Sequence, residues 1–249
     1  MKLLDHTFSS PAENLAADEA LLDACENGTG GETLFFWEPR ETFVVVGYAN
    51  QVSTEVAVAK CLAAGVPIFR RCSGGGTVVQ LPGGLNYSLI LRIEENGPTR
   101  TITAANKFIM EKNREAITTL FPSFQLPASS FQPLISVRGH TDLCLGNVKF
   151  AGNSQRRRKH FLLFHGTFLL HCDLGLISEL LQMPSQQPDY RANRPHTDFV
   201  TNLNLPAAAV KTALASAWNA REELKELPLE EIKKLAREKY SAREWNFKF

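Results

Sequence analysis

The sequence lacks several features that would place it in a broad class of proteins at once. It has no apolar run long enough to cross a bilayer, and its first residues lack the long apolar stretch of a signal peptide. Lys and Arg (27) nearly balance Asp and Glu (26), so the basic excess typical of nucleic-acid binders is missing. We therefore expect a soluble cytoplasmic protein that binds neither nucleic acid nor membrane.

Cysteine pairs with metal-binding or redox spacing are also missing. The five cysteines are scattered and odd in number, and no Cys-x-x-Cys occurs among Cys25, Cys61, Cys72, Cys144 and Cys172. This pattern favours reduced thiols over a disulfide scaffold or a zinc ribbon. His196-x-Asp198 has no third ligand at a suitable spacing, so we expect no resident metal site.

The chain is long enough for one large domain, and we expect a single catalytic-type domain over 1–249. Strands that cluster rather than alternate strictly with helices predict an α/β (α+β) fold with a mixed, largely antiparallel sheet flanked by helices. The predicted helices are 10–28, 53–64, 102–120, 174–181, 207–220 and 229–240. The predicted strands are 33–37, 42–47, 66–69, 86–93, 141–145, 148–151 and 161–171, with loops at 125–133 and 184–196.

A glycine-rich run at 70–79 is the clearest chemical signal in the sequence. Three consecutive glycines let the backbone approach a ligand and turn N–H groups toward an anion, while paired arginines offer forked donors. The run is neither a P-loop nor a Gly-x-Gly-x-x-Gly fingerprint, and an ordinary turn is the alternative. We predict a nucleotide or acyl-phosphate cradle made of Arg70, Arg71, Ser73, Gly74, Gly75, Gly76, Thr77, Val78 and Val79.

Two further clusters carry candidate chemistry. Lys149 lies in a short apolar stretch after the predicted hairpin turn Gly146-Asn147. It is either a solvated surface lysine or an ammonium that stabilises charge developing on a carbonyl or phosphate. His165-Gly166-Thr167 lies on a predicted strand, where a hydrogen-bonded core histidine is the ordinary interpretation.

Together these motifs resemble the lipoate–protein ligase A group of the biotin/lipoate ligase superfamily. They occur in the expected order and cover most of the chain. The main motifs are Arg70-Arg71-x-Ser73-Gly74-Gly75-Gly76-x-Val78, Asn86-Tyr87-Ser88, Asp142-x-x-x-Gly146-x-x-Lys149-x-x-Gly152-x-x-Gln155 and His165-Gly166-Thr167. The flanking motifs are Asn14-x-x-x-Asp18-Glu19 and Lys239-Tyr240-x-x-x-x-Trp245.

The resemblance implies a fold related to biotin ligases and class II aminoacyl-tRNA synthetases, and a reaction. Lipoate and ATP, with Mg²⁺, form lipoyl-adenylate, and the acyl group passes to a lysine of a lipoyl carrier domain. The carrier is of the glycine cleavage H protein or 2-oxoacid dehydrogenase E2 type.

The resemblance also implies roles for individual residues. It assigns the adenylate to Arg71 and residues 76–79, the acyl carbonyl and phosphate to Lys149, and the rest of the site to Asn86, Asp142 and Gly152. Asp142 would orient the attacking lysine, and the apolar tail would enter a slot lined by residues such as Trp37, Val45 and Val78.

Two departures from the family pattern open alternatives. Gln80 stands where a histidine is common, so no proton transfer is expected there. Family ligases usually carry a C-terminal accessory domain, which is not expected in this chain, so a separate accessory subunit would supply it. Otherwise the protein is an ATP-independent octanoyl- or lipoyltransferase that uses Cys72, Cys144 or Cys172, or a non-catalytic carrier-binding relative that docks through residues 156–159.

Overall fold

The structure is a computed structural model that describes residues 1–121 and 135–249, so the loop predicted at 125–133 lies outside the described residues. The strands in chain order are β1 (Lys2–Asp5), β2 (Thr33–Trp37), β3 (Phe43–Val46), β4 (Ile68–Arg70), β5 (Val78–Gln80), β6 (Gly84–Arg92), β7 (Ile135–Arg138), β8 (Asp142–Leu145), β9 (Val148–Arg157), β10 (Phe161–Leu169) and β11 (Glu222–Glu223).

These strands form two sheets. The main sheet has the spatial order β11-β1-β2-β6-β10-β9-β8-β7, and the small sheet has the order β4-β3-β5. β1 runs parallel to both of its neighbours and β3 runs parallel to β4, whereas the other pairs are antiparallel. The predicted mixed, largely antiparallel sheet is therefore confirmed.

The helices cover both faces of the main sheet. They are α1 (Pro11–Glu26), α2 (Val52–Glu55), α3 (Val58–Ala63), α4 (Ile102–Thr118), α5 (Gly175–Leu180), α6 (His196–Phe199), α7 (Ala207–Ala217), α8 (Leu229–Leu235) and α9 (Arg243–Asn246). A π-helical turn, Ala236–Tyr240, continues α8. Within the described ranges, no helix has the length and apolar character needed to cross a membrane.

The first helix begins where the sequence predicts. Ser10 is its N-cap, and the Ser10 and Glu13 side chains form a reciprocal capping box before the first turn. Pro11 occupies the first turn, where its missing N–H costs nothing. Gly28 follows the end of the helix with φ +78°, a conformation that glycine adopts without strain.

The helix predicted at 53–64 is wrong as a single element. α2 and α3 are separated at Val56, which is extended (φ −121°, ψ 135°) and forms a β-bridge with Leu181. α2 begins after Gln51, which makes no side-chain capping bond. A buried contact with a distant segment has therefore overridden a locally helical pattern.

The predicted strand at 148–151 is longer in the structure, as β9 extends to Arg157. β8 pairs only with the first half of β9, and ladder hydrogen bonds with β10 hold its polar second half. Strands β1, β7 and β11 have no counterpart in the sequence prediction. They are short, and each depends on a partner strand for its hydrogen bonds.

The main sheet has a different core on each face. Leu85, Tyr87 and Leu89 of β6 point into a cluster that includes residues of α4 and α7. The opposite face packs against α1, the end of the chain and the small sheet. On this second face, Asn86 and Ser88 take the place of apolar side chains, and they open the cavity that concerns function.

Candidate functional site

A cavity lies between the main sheet and the small sheet. Trp37, Val45 and Val78, which the sequence analysis proposed as a slot for an apolar acyl tail, all belong to its wall. The remaining wall residues that matter below come from α1, the glycine loop and three strands: Asp18, Arg71, Gly76, Thr77, Gln80, Asn86, Lys149, Gly152, Ser154, His165 and Thr167.

One row of residues across the main sheet forms the floor of the cavity and continues to Asp142, directly behind its wall. Trp37 of β2 pairs with Asn86 of β6, and Asn86 pairs with Thr167 of β10. Thr167 pairs with Gly152 of β9, and Gly152 pairs with Asp142 of β8. Because directly opposed residues point to the same face, this register sets an apolar end at Trp37 and a charged end at Asp142.

The charged end of the row is an ion pair. Lys149 Nζ lies 2.7 Å from Asp142 Oδ1, and the lysine side chain is 26% exposed. The Tyr190 hydroxyl donates to Asp142 Oδ2 at 2.7 Å. A Cβ on residue 152 would lie 2.5 Å from Lys149 Nζ, so the ammonium occupies the space left by the missing side chain of Gly152. The ammonium is thereby held at the cavity wall.

Arg71 organises the glycine loop from inside. Its Nη2 donates to the carbonyl oxygens of Gly74 (2.5 Å) and Gly76 (2.7 Å), and its Nε donates to Ser73 Oγ (3.0 Å). Burial lowers the pKa of the guanidinium to about 10. No carboxylate of the described residues forms an ion pair with this guanidinium.

Two more side chains donate hydrogen bonds to backbone carbonyl oxygens of the loop. Asn50 Nδ2 donates to the Gly75 carbonyl at 3.2 Å, and Ser154 Oγ donates to the Gly74 carbonyl at 2.8 Å. In contrast, the backbone N–H groups of residues 74–77 donate to no acceptor in the described part of the chain. A loop whose carbonyls are tied back and whose N–H groups are free forms a concave anion site.

A hydrogen-bonded chain connects this loop to α1. Ser73 Oγ lies 2.5 Å from His165 Nε2, and His165 Nδ1 lies 2.6 Å from Asp18 Oδ2. The carboxylate fixes the Nδ1 proton, so Nε2 accepts the Ser73 hydroxyl. Ser88 Oγ donates to the second carboxylate oxygen of Asp18. The sequence had suggested only a core histidine at His165, because nothing local indicates that α1 brings a carboxylate to it.

The predicted site residues divide by position. Those in the cavity wall are Arg71, Gly76, Thr77, Val78, Asn86, Lys149 and Gly152. Ser73, Gly74, Gly75 and Asp142 lie directly behind the wall and contact Arg71, His165 or Lys149. Val79 is different, since it points to the opposite side of β5 and packs in the core behind the small sheet.

Arg70 does not face the cavity, and the expectation that it meets a substrate anion is corrected by its contacts. It is fully buried, and its guanidinium donates to five backbone carbonyls: Gly47, Tyr48, Asn50, Trp245 and Asn246. These bonds tie the end of the chain to the loop after β3. The role of Arg70 is therefore structural.

The basic run at 156–159 also makes internal contacts. Arg156 donates to the Cys72 carbonyl at 3.3 Å, and Arg157 donates to the carbonyls of Thr99 and Arg100. Arg158 pairs with Asp23 at 2.7 Å. These arginines brace β9 against the loop and α1, and of the three only Arg158 pairs with carboxylates of the described residues.

None of the five cysteines lies in the cavity wall, although all five belong to the described residues. All are buried, and burial raises the pKa of each thiol, to about 11 for Cys25 and about 12 for Cys72. Thiols in this environment stay protonated at neutral pH and are poor nucleophiles.

Comparison with known proteins gives one consistent result. A family model described as the lipoyl protein ligase A/B catalytic domain matches residues 10–218. The octanoyltransferase LipM of Geobacillus kaustophilus is 28% identical, over 99% of this chain and 98% of its own length. The lipoate-protein ligase A subunit 1 of Thermoplasma acidophilum is 26% identical, over 98% of this chain and 95% of its own length.

A solved structure of a lipoate-protein ligase A bound with ATP is similar over nearly the whole chain. It superposes with a TM-score of 0.73 and is 25% identical, covering 99% of this chain and 98% of its own. The overall fold of this chain therefore also occurs in a protein solved with bound ATP.

Proposed function

This chain belongs to the lipoyl protein ligase A/B catalytic domain family, and we propose that it is an ATP-dependent lipoate–protein ligase. Its relatives are enzymes of two kinds, octanoyltransferases and lipoate-protein ligases. Both kinds place an acyl group on protein. The two kinds differ in how the acyl group is activated. The side chains at the cavity therefore indicate which of the two activities this chain has.

The absence of a thiol from the cavity wall is the observation that carries the proposal. A transferase of the cysteine type holds its acyl group as a thioester, so a cysteine sulfur must reach the acyl carbonyl. Here every thiol is buried elsewhere with a raised pKa. Activation by a phosphate ester needs no protein nucleophile, and it suits the wall that is present.

The wall residues fit an acyl-phosphate in charge and geometry. The free N–H groups of residues 74–77 and the buried Arg71 supply positive potential at one side, and Lys149 supplies an ammonium at the other. ATP, bound with Mg²⁺, would supply the electrophilic phosphorus and a pyrophosphate leaving group. Lys149 would stabilise the negative charge of the phosphate and of the acyl oxygen.

In the second half-reaction, the amine of the carrier lysine attacks the acyl carbon. A new C–N bond forms, the bond from the acyl carbon to the phosphate oxygen breaks, and AMP leaves with the electron pair. The attacking amine must lose a proton, and Asp142 is the carboxylate closest to Lys149. We propose that Asp142 orients both the Lys149 ammonium and the amine of the carrier lysine.

The proposed acceptor is a lipoyl carrier domain of the E2 or H-protein type, and a separate accessory subunit would assist activation. The name of the Thermoplasma acidophilum relative, a ligase subunit 1, supports the idea of a divided ligase. The proposal places the reaction in the cytoplasm, where ATP is present and unpaired cysteines remain reduced.

The deciding experiment measures pyrophosphate exchange and carrier modification side by side. The chain, with and without an accessory subunit, is incubated with MgATP, free lipoate and a lipoyl domain. The mass of the lipoyl domain is then measured by mass spectrometry. A lipoyl mass increase that requires ATP supports the proposal. Transfer from an octanoylated carrier without ATP, lost in a single cysteine-to-alanine variant, would refute it in favour of the octanoyltransferase activity named for the Geobacillus kaustophilus relative.

A further inference from the structure

Three neutral side chains form a closed hydrogen-bond network in the middle of the cavity. Gln80 Nε2 donates to Asn86 Oδ1 (2.9 Å) and to Thr167 Oγ1 (3.0 Å), and Asn86 Nδ2 donates to Gln80 Oε1 (2.8 Å). Thr167 Oγ1 donates to Asn86 Oδ1 at 2.6 Å. The two amides are 5% and 4% exposed, and all three residues belong to the cavity wall.

The network leaves one N–H of the Asn86 amide unused. Asn86 Nδ2 carries two N–H groups, and Gln80 Oε1 is its sole acceptor in the ranges 1–121 and 135–249. The two acceptors of Gln80 Nε2, Asn86 Oδ1 and Thr167 Oγ1, lie 2.6 Å from each other, so they share one N–H of that amide. A buried amide N–H without a partner at a cavity wall costs free energy, which a ligand atom that accepts a hydrogen bond recovers.

The register of the main sheet places this donor at a defined distance from the reacting end. Lys149 Nζ lies over Gly152, and Asn86 lies two strands further along the same row. Neighbouring strands are about 4.8 Å apart, so Asn86 is about 10 Å from Gly152. An extended eight-carbon acyl chain of seven bonds, each about 1.5 Å long, spans about 9 Å once its zigzag is included.

An eight-carbon chain whose carboxyl group lies beside Lys149 therefore ends at Asn86. In lipoate, the far end of the chain carries a dithiolane, with sulfur on the sixth and eighth carbons. Divalent sulfur is a weak hydrogen-bond acceptor. Octanoate offers only C–H groups at the same place, and it leaves the Asn86 N–H unpaired.

We propose that Gln80, Asn86 and Thr167 select the dithiolane tail of lipoate over the alkyl tail of octanoate. The inference rests on the proposed function, because it assumes that the acyl carboxyl group lies beside Lys149. Gln80 and Thr167 fix the Asn86 amide in the orientation that aims its second N–H at the ring. Trp37 and Val45 form the apolar surface beyond the ring.

The test compares three acids by titration calorimetry with the full chain: lipoate, octanoate and 5-cyclopentylpentanoate. The last acid has the ring of lipoate with carbon in place of sulfur, so it separates ring shape from hydrogen bonding. We expect lipoate to bind about three- to tenfold more tightly than the carbocyclic acid, the range given by one hydrogen bond of modest strength. Octanoate should bind no better than the carbocyclic acid.

The double variant Gln80→Leu/Asn86→Leu removes both amides together, which avoids stranding one of them and keeps the risk of unfolding low. In this variant lipoate and the carbocyclic acid should bind equally, and the change should appear in KM for lipoate rather than in kcat. Thr212→Val, on the exposed side of α7, is the matched control and should retain the wild-type preference.

The outcomes separate the inference from the proposed function. Equal affinity of the wild-type chain for lipoate and the carbocyclic acid overturns the inference alone, as does an unchanged preference in the double variant. A wild-type chain that binds none of the three acids and activates none of them overturns both. A preference for octanoate also overturns the inference, whatever the activity.

Discussion

The ammonium of Lys149 lies 2.7 Å from Oδ1 of Asp142, in the space over Gly152. The two residues stand on adjacent strands, β9 and β8, and a one-residue shift in their register would turn one of the side chains to the other face. The β-bulge between Leu143 and Cys144 adjusts this register next to the pair. The position of the ammonium is thus a property of the sheet.

We predict that Lys149→Met abolishes modification of the carrier while leaving the fold intact. The change removes the charge and keeps most of the side-chain volume, so the loss in kcat/KM should be about 100-fold or more. The matched control is Lys159→Met. Lys159 lies on the exposed turn after β9, so this variant should retain activity. Full activity of Lys149→Met would refute the role assigned to Lys149.

Gly47 lies beneath the glycine loop, and we predict that Gly47→Ala disables it. A Cβ there would collide with the carbonyl oxygen of Gly75, so the loop must move. A displacement of about 1 Å at a positioning group can cost about 100-fold in rate. ATP–pyrophosphate exchange should fall to that extent, whereas Gly31→Ala, where a Cβ meets open space, should leave the rate unchanged. Normal exchange in Gly47→Ala would show that the loop does not hold ATP.

Local motifs explain which parts of the site the sequence could predict. The glycine loop, Lys149 and Gly152 stand out because three glycines, or a lysine between glycines, carry their meaning within a few residues. Arg70 could not be assigned in this way, since Trp245 and Asn246, which accept its hydrogen bonds, are about 175 positions away in the chain.

The same argument applies to residues that sequence analysis missed. His165 becomes part of a chain to the glycine loop only because α1 packs Asp18 against β10. Tyr190 lies in the polar segment predicted as a loop at 184–196, with no local pattern that points to Asp142. The fold class was predictable from strand clustering, but the partner of each buried polar group depends on tertiary packing.

Tyr190 holds the outer oxygen of Asp142, and we predict that Tyr190→Phe lowers activity modestly. The hydroxyl donates to Oδ2 at 2.7 Å, so its loss frees the carboxylate to rotate away from Lys149. One such hydrogen bond corresponds to a drop of about three- to tenfold in kcat/KM. In an Asp142→Asn background the same change should add little, because the two residues act as a unit. Additive losses in the double variant would contradict this coupling.

Burial of the cysteines predicts a loss of stability at alkaline pH. Burial raises the pKa of Cys72 to about 12. A cysteine thiol in an unfolded chain has a pKa of about 8.5. Between these two values the unfolded state has lost the proton and the native state still binds it. The free energy of unfolding must therefore fall as pH rises through this window, and the contribution of the thiol is complete below about pH 8.5.

Urea unfolding of the wild-type chain and of Cys72→Ala between pH 8 and 10.5 isolates this contribution. The variant starts less stable because a buried sulfur is removed, but its stability should decline less steeply with pH. The difference in slope should approach about 1.4 kcal/mol per pH unit, the value for one proton. Burial also raises the pKa of Cys25, to about 11. Because Cys25 is present in both proteins, it contributes equally to both slopes and does not affect their difference. Identical slopes would mean that the Cys72 thiol ionises as readily in the native state as in the unfolded chain, and a thioester mechanism at that residue would then become tenable.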